Sequence, residues 1–138
     1  MITEELLPLL QGACPAWVLT TSADNVPNCT SVSQVYPVDD EHVAISNQFF
    51  SKTFRNLADN PQACIQLLDP ADFSPWLLEV VHVRTETEGE LFEQMEMQLA
   101  AIASMSGMAN VFKLKSAYVF KVLSVRLERA YQTHEGAR

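Results

Sequence analysis

Val43 to Pro70 reads VAISNQFFSKTFRNLADNPQACIQLLDP, and its changes of period decide the fold. Val43 to Ser46 closes a strand. Ser51 is a good N-cap, and Phe54 and Leu57 are spaced to meet a core, so the pattern predicts a helix over Lys52 to Asp59 that Pro61 cannot continue. Ala63 to Leu68, ACIQLL, then reads as a buried strand that Asp69 and Pro70 end. The helix carries its cations at the wrong end. Lys52 takes the first position and Arg55 lies one turn on, although unpaired N–H groups and the macrodipole favour anions there. With nothing bound, an opposed charge at such an end costs ~0.3–1 kcal/mol. A bound phosphate reverses the sign, because the helix N–H groups, the hydroxyls of Ser51 and Thr53 and the Lys52 ammonium then all face an anion. The competing explanation is a solvated Lys52 whose stem lies over Phe49 or Phe50, with Arg55 pairing Asp59 at i,i+4.

Outward from this stretch, period-2 patterning recurs on both sides. Thr3 can cap a short first helix, with Glu4 and Glu5 in its first turn and Gly12 to close it. Ala16 to Thr21, AWVLTT, is aromatic and β-branched, and the turn chemistry of SADNVPN leads into a second strand, CTSVSQVYPV, as a hairpin. Asp39, Asp40 and Glu41 form the next turn, into the strand that holds Val43. Downstream, Trp76 to Thr87 alternates as a fifth strand. Leu91, Met95, Leu99 and Ile102 then fall at helical spacing, with Glu90 and Glu93 suited to the helix start and Gly107 to its end. The last segment, AYVFKVLSVRLERAYQ, places Tyr118, Phe120 and Val122 inward, with Val125 and Leu127 inward after a register change. Six short strands and three helices, joined by tight turns, predict a mainly β fold: a six-stranded antiparallel split β-barrel with peripheral helices, formed by one domain over residues 1–138.

Composition narrows the function. The chain has 138 residues, 48% of them hydrophobic, and only four glycines, which suits a packed core rather than disorder. A formal charge of −8 argues against nucleic acid as a partner, which demands clustered Lys and Arg. Any basic spot must be local. No apolar run approaches the ~20 residues of a membrane helix, and MITEELLPLLQGAC carries acids where a leader peptide carries Lys or Arg, so no membrane association and a cytoplasmic location are expected. Cys14, Cys29 and Cys64 lack CxxC spacing and read as buried thiols. His42, His82 and His134 are scattered, and no metal site is expected. Met95, Met97, Met105 and Met108 read as gap-filling core or dimer contact, the Glu86 to Glu96 acidic stretch as a solvated face, and Trp17 and Trp76 as core.

Two features stand beside the basic turn. Ser46 and Asn47 end the strand just before it. Thr30, Ser31 and Ser33 lie on a strand expected to pair with that one, and small hydroxyls on paired strands make a bed for a planar, hydrogen-bonding ring whose phosphate reaches the helix. With these residues in place, Val43 to Pro70 resembles the central signature of the pyridoxamine 5'-phosphate oxidase-like FMN-binding split-barrel family: a strand ending Ser-Asn, a phosphate turn with Ser and Lys, a helix ending Asn-Pro and a strand ending Asp-Pro. The likeness extends from about Ala16 to Glu128. It implies an FMN-binding split barrel that forms a homodimer, with FMN at the subunit interface. It further implies that Ser51, Lys52 and Thr53 hold the phosphate, while Thr30, Ser31, Val32, Ser33, Ser46 and Asn47 lie against the ring. True pyridoxamine phosphate oxidases carry an Arg on the second strand and a basic C-terminal extension for the substrate phosphate; this chain has TSVSQVY there and ends at Arg138, so that activity is not expected.

Three function classes remain open. The first is an FMN-dependent oxidoreductase acting on an unassigned small substrate, in which the flavin supplies the redox chemistry and no acid–base side chain is required, so that no catalytic residue is named. The second is a non-catalytic flavin or ligand-binding sensor module. The third is a dimerising barrel without cofactor.

Overall fold

The computed structural model describes residues 2–10, 14–32, 34–47, 52–105 and 114–128. Among them the strands are β1 (Ala16–Thr21), β2 (Pro27–Val32), β3 (Val35–Pro37), β4 (His42–Asn47), β5 (Gln62–Leu68), β6 (Pro75–Glu86) and β7 (Ser116–Leu127), with helices α1 (Lys52–Asp59) and α2 (Glu90–Met105). They form one antiparallel sheet in the order β2-β1-β5-β6-β7-β4-β3. The two end strands, β2 and β3, are separated in the chain only by residues 33 and 34, so the sheet has to curl until its edges approach. This is a split barrel. Bulges between Glu79 and Val80 and between His82 and Arg84 let the two 12-residue strands β6 and β7 bend around it.

Seven strands replace the expected six, because CTSVSQVYPV divides. After the buried Val32 the chain leaves β1, and Gln34, 1% exposed, donates from Nε2 to the Met95 carbonyl (3.1 Å) and to Gln98 Oε1 (2.6 Å) on α2. Gln34 stands between the two ladders, anchored to α2, and the strand restarts against β4, with Val35 opposite Ile45. β2 therefore does not pair with β4, as had been expected of the residues around Thr30; it pairs with β1. The first helix is a single 3₁₀ turn, Leu7–Leu10, whose bonds run i to i+3 (Leu6 N to Thr3 O 3.0 Å, Leu9 N to Leu6 O 3.0 Å). Gly12 and Gly107, expected to stop helices, lie outside the described residues.

Two cores result. Val18, Val43, Ile45, Ile65, Leu67, Leu78, Val80, Tyr118 and Phe120 fill the barrel. The alternate residues Ala44, Ala117 and Val119 face outward, where Met95 and Leu99 of α2 cover them. β4 and β7 are thus buried on both faces. In β1 the inward residues are Ala16, Val18 and Thr20, so Trp17 points outward and is 37% exposed, against the expectation of core. Trp76 does pack against the barrel core. β7 skips Leu123 in its register, which turns Val125 inward but leaves Leu127 exposed. Cys29 is exposed and Cys14 and Cys64 are half-buried, so no thiol is fully buried. Met95 is core and Met97 is exposed; Met108 lies outside the described residues, and of the Met105 side chain nothing is described.

Candidate functional site at the turn between β4 and α1

Helix α1 covers one end of the barrel with an unusual face. Thr53, Asn56 and Leu57 point inward and are 1%, 7% and 4% exposed, whereas Lys52, Phe54 and Arg55 point out. Phe54, expected in the core, is 57% exposed; the inward stripe at i, i+3 and i+4 starts one residue earlier, on a threonine. Docking is accordingly by hydrogen bonds. Asn28 Nδ2 donates to Thr53 Oγ1 (3.1 Å) and to Thr30 Oγ1 (3.2 Å), the Thr30 and Thr53 hydroxyls are 3.2 Å apart, and Asn56 Nδ2 donates to Thr20 Oγ1 (3.0 Å). The polar barrel end of β1 and β2 thus clamps the helix.

The sequence had placed Thr30 against the ring and Thr53 against the phosphate. The structure brings those two together, through their own hydroxyls. Ser31 is exposed on the outer face of β2 opposite Trp17, and Val32 is buried. Ser46 is buried at the end of β4, opposite Ala117, and Asn47 stands opposite Ser116. Ser33 and Ser51 lie outside the described residues, as do Gln48, Phe49 and Phe50. Lys52 opens the helix with an exposed side chain.

On the other flank of α1, the Phe54 ring meets Tyr118 with centroids 6.1 Å apart, and Tyr118 meets His82 at 5.4 Å. Burial pushes the Tyr118 phenol up to about 12, offset slightly by its hydrogen bond with Ser116. Burial also holds the His82 imidazole below its usual value, although a backbone bond with Arg84 opposes this. His82 is wedged beside Tyr118 and Phe120, and His42 is committed to Asp39 at 2.8 Å. Among the described residues no group of three or more His, Cys, Asp or Glu could hold a metal ion. His134 lies outside them.

Electrostatics single out the turn. Arg84, Lys121 and Arg126 are each bound to carboxylates, of Glu86, Glu41, and both Glu79 and Glu128. Lys52, Arg55 and Lys115 have no carboxylate partner among the described residues, and the Arg55–Asp59 pair considered from the sequence does not form. A phosphate dianion would fit two of these, Lys52 and Arg55 in the first turn of α1, in a chain of net charge −8. A separate depression of about 470 Å³ lies on the outer face, lined by Leu19, Thr21, Gln62, Cys64, Glu79 and Leu123 among others. None of the expected site residues lines it.

A family model described as pyridoxamine 5'-phosphate oxidase matches residues 2–134. The chain belongs to the pyridoxamine 5'-phosphate oxidase family. Its solved relatives share the barrel of that family. An FMN-binding protein from Syntrophomonas wolfei is 19% identical with a TM-score of 0.74, over 89% of this chain and 84% of that one. HupZ of Group A Streptococcus is 21% identical with a TM-score of 0.70, over 92% and 94%. HutZ, a heme storage protein of Vibrio cholerae, is 17% identical with a TM-score of 0.61, over 91% and 94%. At these identities the likeness speaks for the fold alone. No curated protein matches the chain.

The residues missed from sequence are Thr20, Asn28, Asn56, Ser116 and Tyr118. Asn56 and Thr53 share helical spacing, a signal available in the sequence had polar residues been admitted to the inward face. The others are joined to the turn only by tertiary pairing.

Proposed function

We propose that this member of the pyridoxamine 5'-phosphate oxidase family binds FMN and acts as an oxidoreductase on a small substrate. The observation that carries the reading is the pair of unpaired cations, Lys52 and Arg55, at the start of a helix in an acidic chain. Lys52, with Ser51 and the first N–H groups of α1, would hold the phosphate, and Ser46, Asn47, Thr30, Ser31, Val32 and Ser33 would orient the ring. Thr53 acts differently from a direct ligand: its hydroxyl ties the helix to β2, so that the helix start is fixed before the phosphate arrives. When bound, the flavin supplies hydride transfer, and the protein's part is to position it and to shape access to it. Family membership and the S. wolfei relative, an FMN-binding protein, support the cofactor. Because β2 carries no Arg between Thr30 and Val32, oxidation of pyridoxamine phosphate itself is not proposed.

The protein is further proposed to work as a homodimer in the cytoplasm. Trp17, Leu19 and Leu123, 37%, 41% and 45% exposed, leave an apolar outer sheet face that a second copy would cover. Free thiols at Cys14, Cys29 and Cys64 suit a reducing compartment. No described helix is long and apolar enough to cross a membrane.

Titration of the purified protein with FMN, followed by flavin absorbance and fluorescence, tests the cofactor. Saturable binding at one FMN per chain is expected, and bleaching of the bound flavin by a nicotinamide donor is expected of an oxidoreductase. Bound flavin that no donor reduces would replace catalysis with storage or sensing. Protein that takes up no FMN would overturn the reading.

A further inference from the structure

We propose that the depression on the outer sheet face is a socket for Trp17 of a second copy, so that two chains dock face to face through two reciprocal Trp anchors. The inference deepens the homodimer reading above and rests on it. β2, β1 and β5 stand side by side in the sheet and contain no Asp, Glu, Lys or Arg, although 19% of the chain is charged. Where β6 and β7 continue this face, Glu79 accepts from Ser124 Oγ (3.0 Å) and from Arg126 Nη1 (3.2 Å), so its charge is already matched. A chain of net charge −8 repels its own copies. That repulsion is weakest across a face so poor in charge, and charge-poor faces that carry an aromatic side chain are the stuff of buried interface cores.

Knob and hole lie on this one face. Trp17 and Leu19 are two residues apart on β1, both outward and exposed, a spacing of about 7 Å. Leu19 stands opposite Cys29 on β2 and Cys64 on β5, and Cys64 stands opposite Glu79 on β6. Cys64 is small between longer neighbours. The depression of about 470 Å³ includes it, with Leu19 on one side, Leu123 on the other and Thr21 and Gln62 toward the strand ends. Trp17 does not line the depression but stands beside it, and the volume admits an indole ring. A twofold axis passing through the face between the two would put the indole of each copy into the depression of the other, an isologous contact. A buried indole N–H needs an acceptor, and the oxygens of Glu79 and Gln62 are there to supply one.

Sedimentation of the full chain over a concentration series gives the dimer dissociation constant for wild type, Trp17→Ala, Cys64→Phe and a control, Met97→Glu, at an exposed apolar residue of α2. Trp17→Ala should raise the constant about a hundredfold or more, because symmetry removes two anchors at once. Cys64→Phe fills the socket and should raise it about tenfold or more, while Met97→Glu should leave it within about twofold. Alkylation of the same samples, read residue by residue by mass spectrometry, reports the covered face directly. Cys29, exposed in the single chain, should react slowly in the wild-type dimer and quickly in Trp17→Ala. Should Trp17→Ala fail to fold by circular dichroism, Cys64→Phe and the dependence of wild-type Cys29 alkylation on protein concentration decide the same question. A dimer constant unchanged in folded Trp17→Ala overturns the Trp anchor alone, as does an equal loss in Met97→Glu. Cys29 that reacts equally fast in dimer and monomer overturns the placement on this face. Wild-type protein that stays monomeric overturns the inference together with the homodimer reading.

Discussion

The two helices are attached to one barrel by opposite chemistry. α2 lays Met95 and Leu99 on Ala44, Ala117 and Val119, an apolar seam over the doubly buried strands. α1 instead meets the barrel end through Thr53 and Asn56, with Leu57 as its buried apolar contact, and turns Lys52, Phe54 and Arg55 outward. Hydrophobic burial scales with area and hardly constrains orientation, whereas hydrogen bonds fix direction at small net gain. α2 thus contributes stability. α1 is held in a fixed direction, which is what the proposed phosphate site requires of it.

The contrast is broken most severely from the α2 side. Leu99→Ala removes a side chain that is 2% exposed and should cost about 2–5 kcal/mol of folding stability, read as a lower denaturant midpoint, while FMN affinity of the protein that remains folded stays near wild type. Lys52→Glu should do the reverse. It should weaken FMN more than about tenfold, a loss above about 1.4 kcal/mol, yet raise the stability of the flavin-free protein slightly, because a carboxylate suits the helix start. Loss of stability without loss of affinity would remove Lys52 from the site. Asn56→Ala deletes the bond to Thr20 and should cost about 1 kcal/mol, with a modest loss of FMN affinity through a less firmly held α1; a cost as large as that of Leu99→Ala would mean that the two helices are attached alike.

The smallest effect concerns pH. His82 has its folded-state pKa below the unfolded one, so below about 6.5 the unfolded chain binds the proton that the folded chain refuses. Stability should fall as pH drops from about 7 through that window, and His82→Asn should flatten the slope measured by denaturation at pH 7.5 and 5.5. An unchanged slope would place the titration elsewhere.

The barrel was legible because alternating residues announce strands wherever one face is buried, and β1, β5 and β6 follow that rule. The division of CTSVSQVYPV was not, since those residues favour strand throughout, and the contacts at the break, Gln34 with α2, reach residues about sixty positions away. The polar face of α1 was misread for a related cause: Phe54 and Leu57 share a helical spacing as good as that of Thr53, Asn56 and Leu57, and hydropathy, right for Leu57, selects Phe54 over Thr53 and Asn56. At the candidate site, the position of Lys52 at the helix start was legible from local pattern, while the approach of Thr30 to Thr53 depends on tertiary pairing and was not.

One last consequence comes from the border strands. β2 opens with Pro27 and β3, three residues long, ends with Pro37. A proline cannot donate to an incoming ladder, and a three-residue border offers little to copy. A chain so rich in extended backbone is thereby guarded against stacking rim to rim into fibrils.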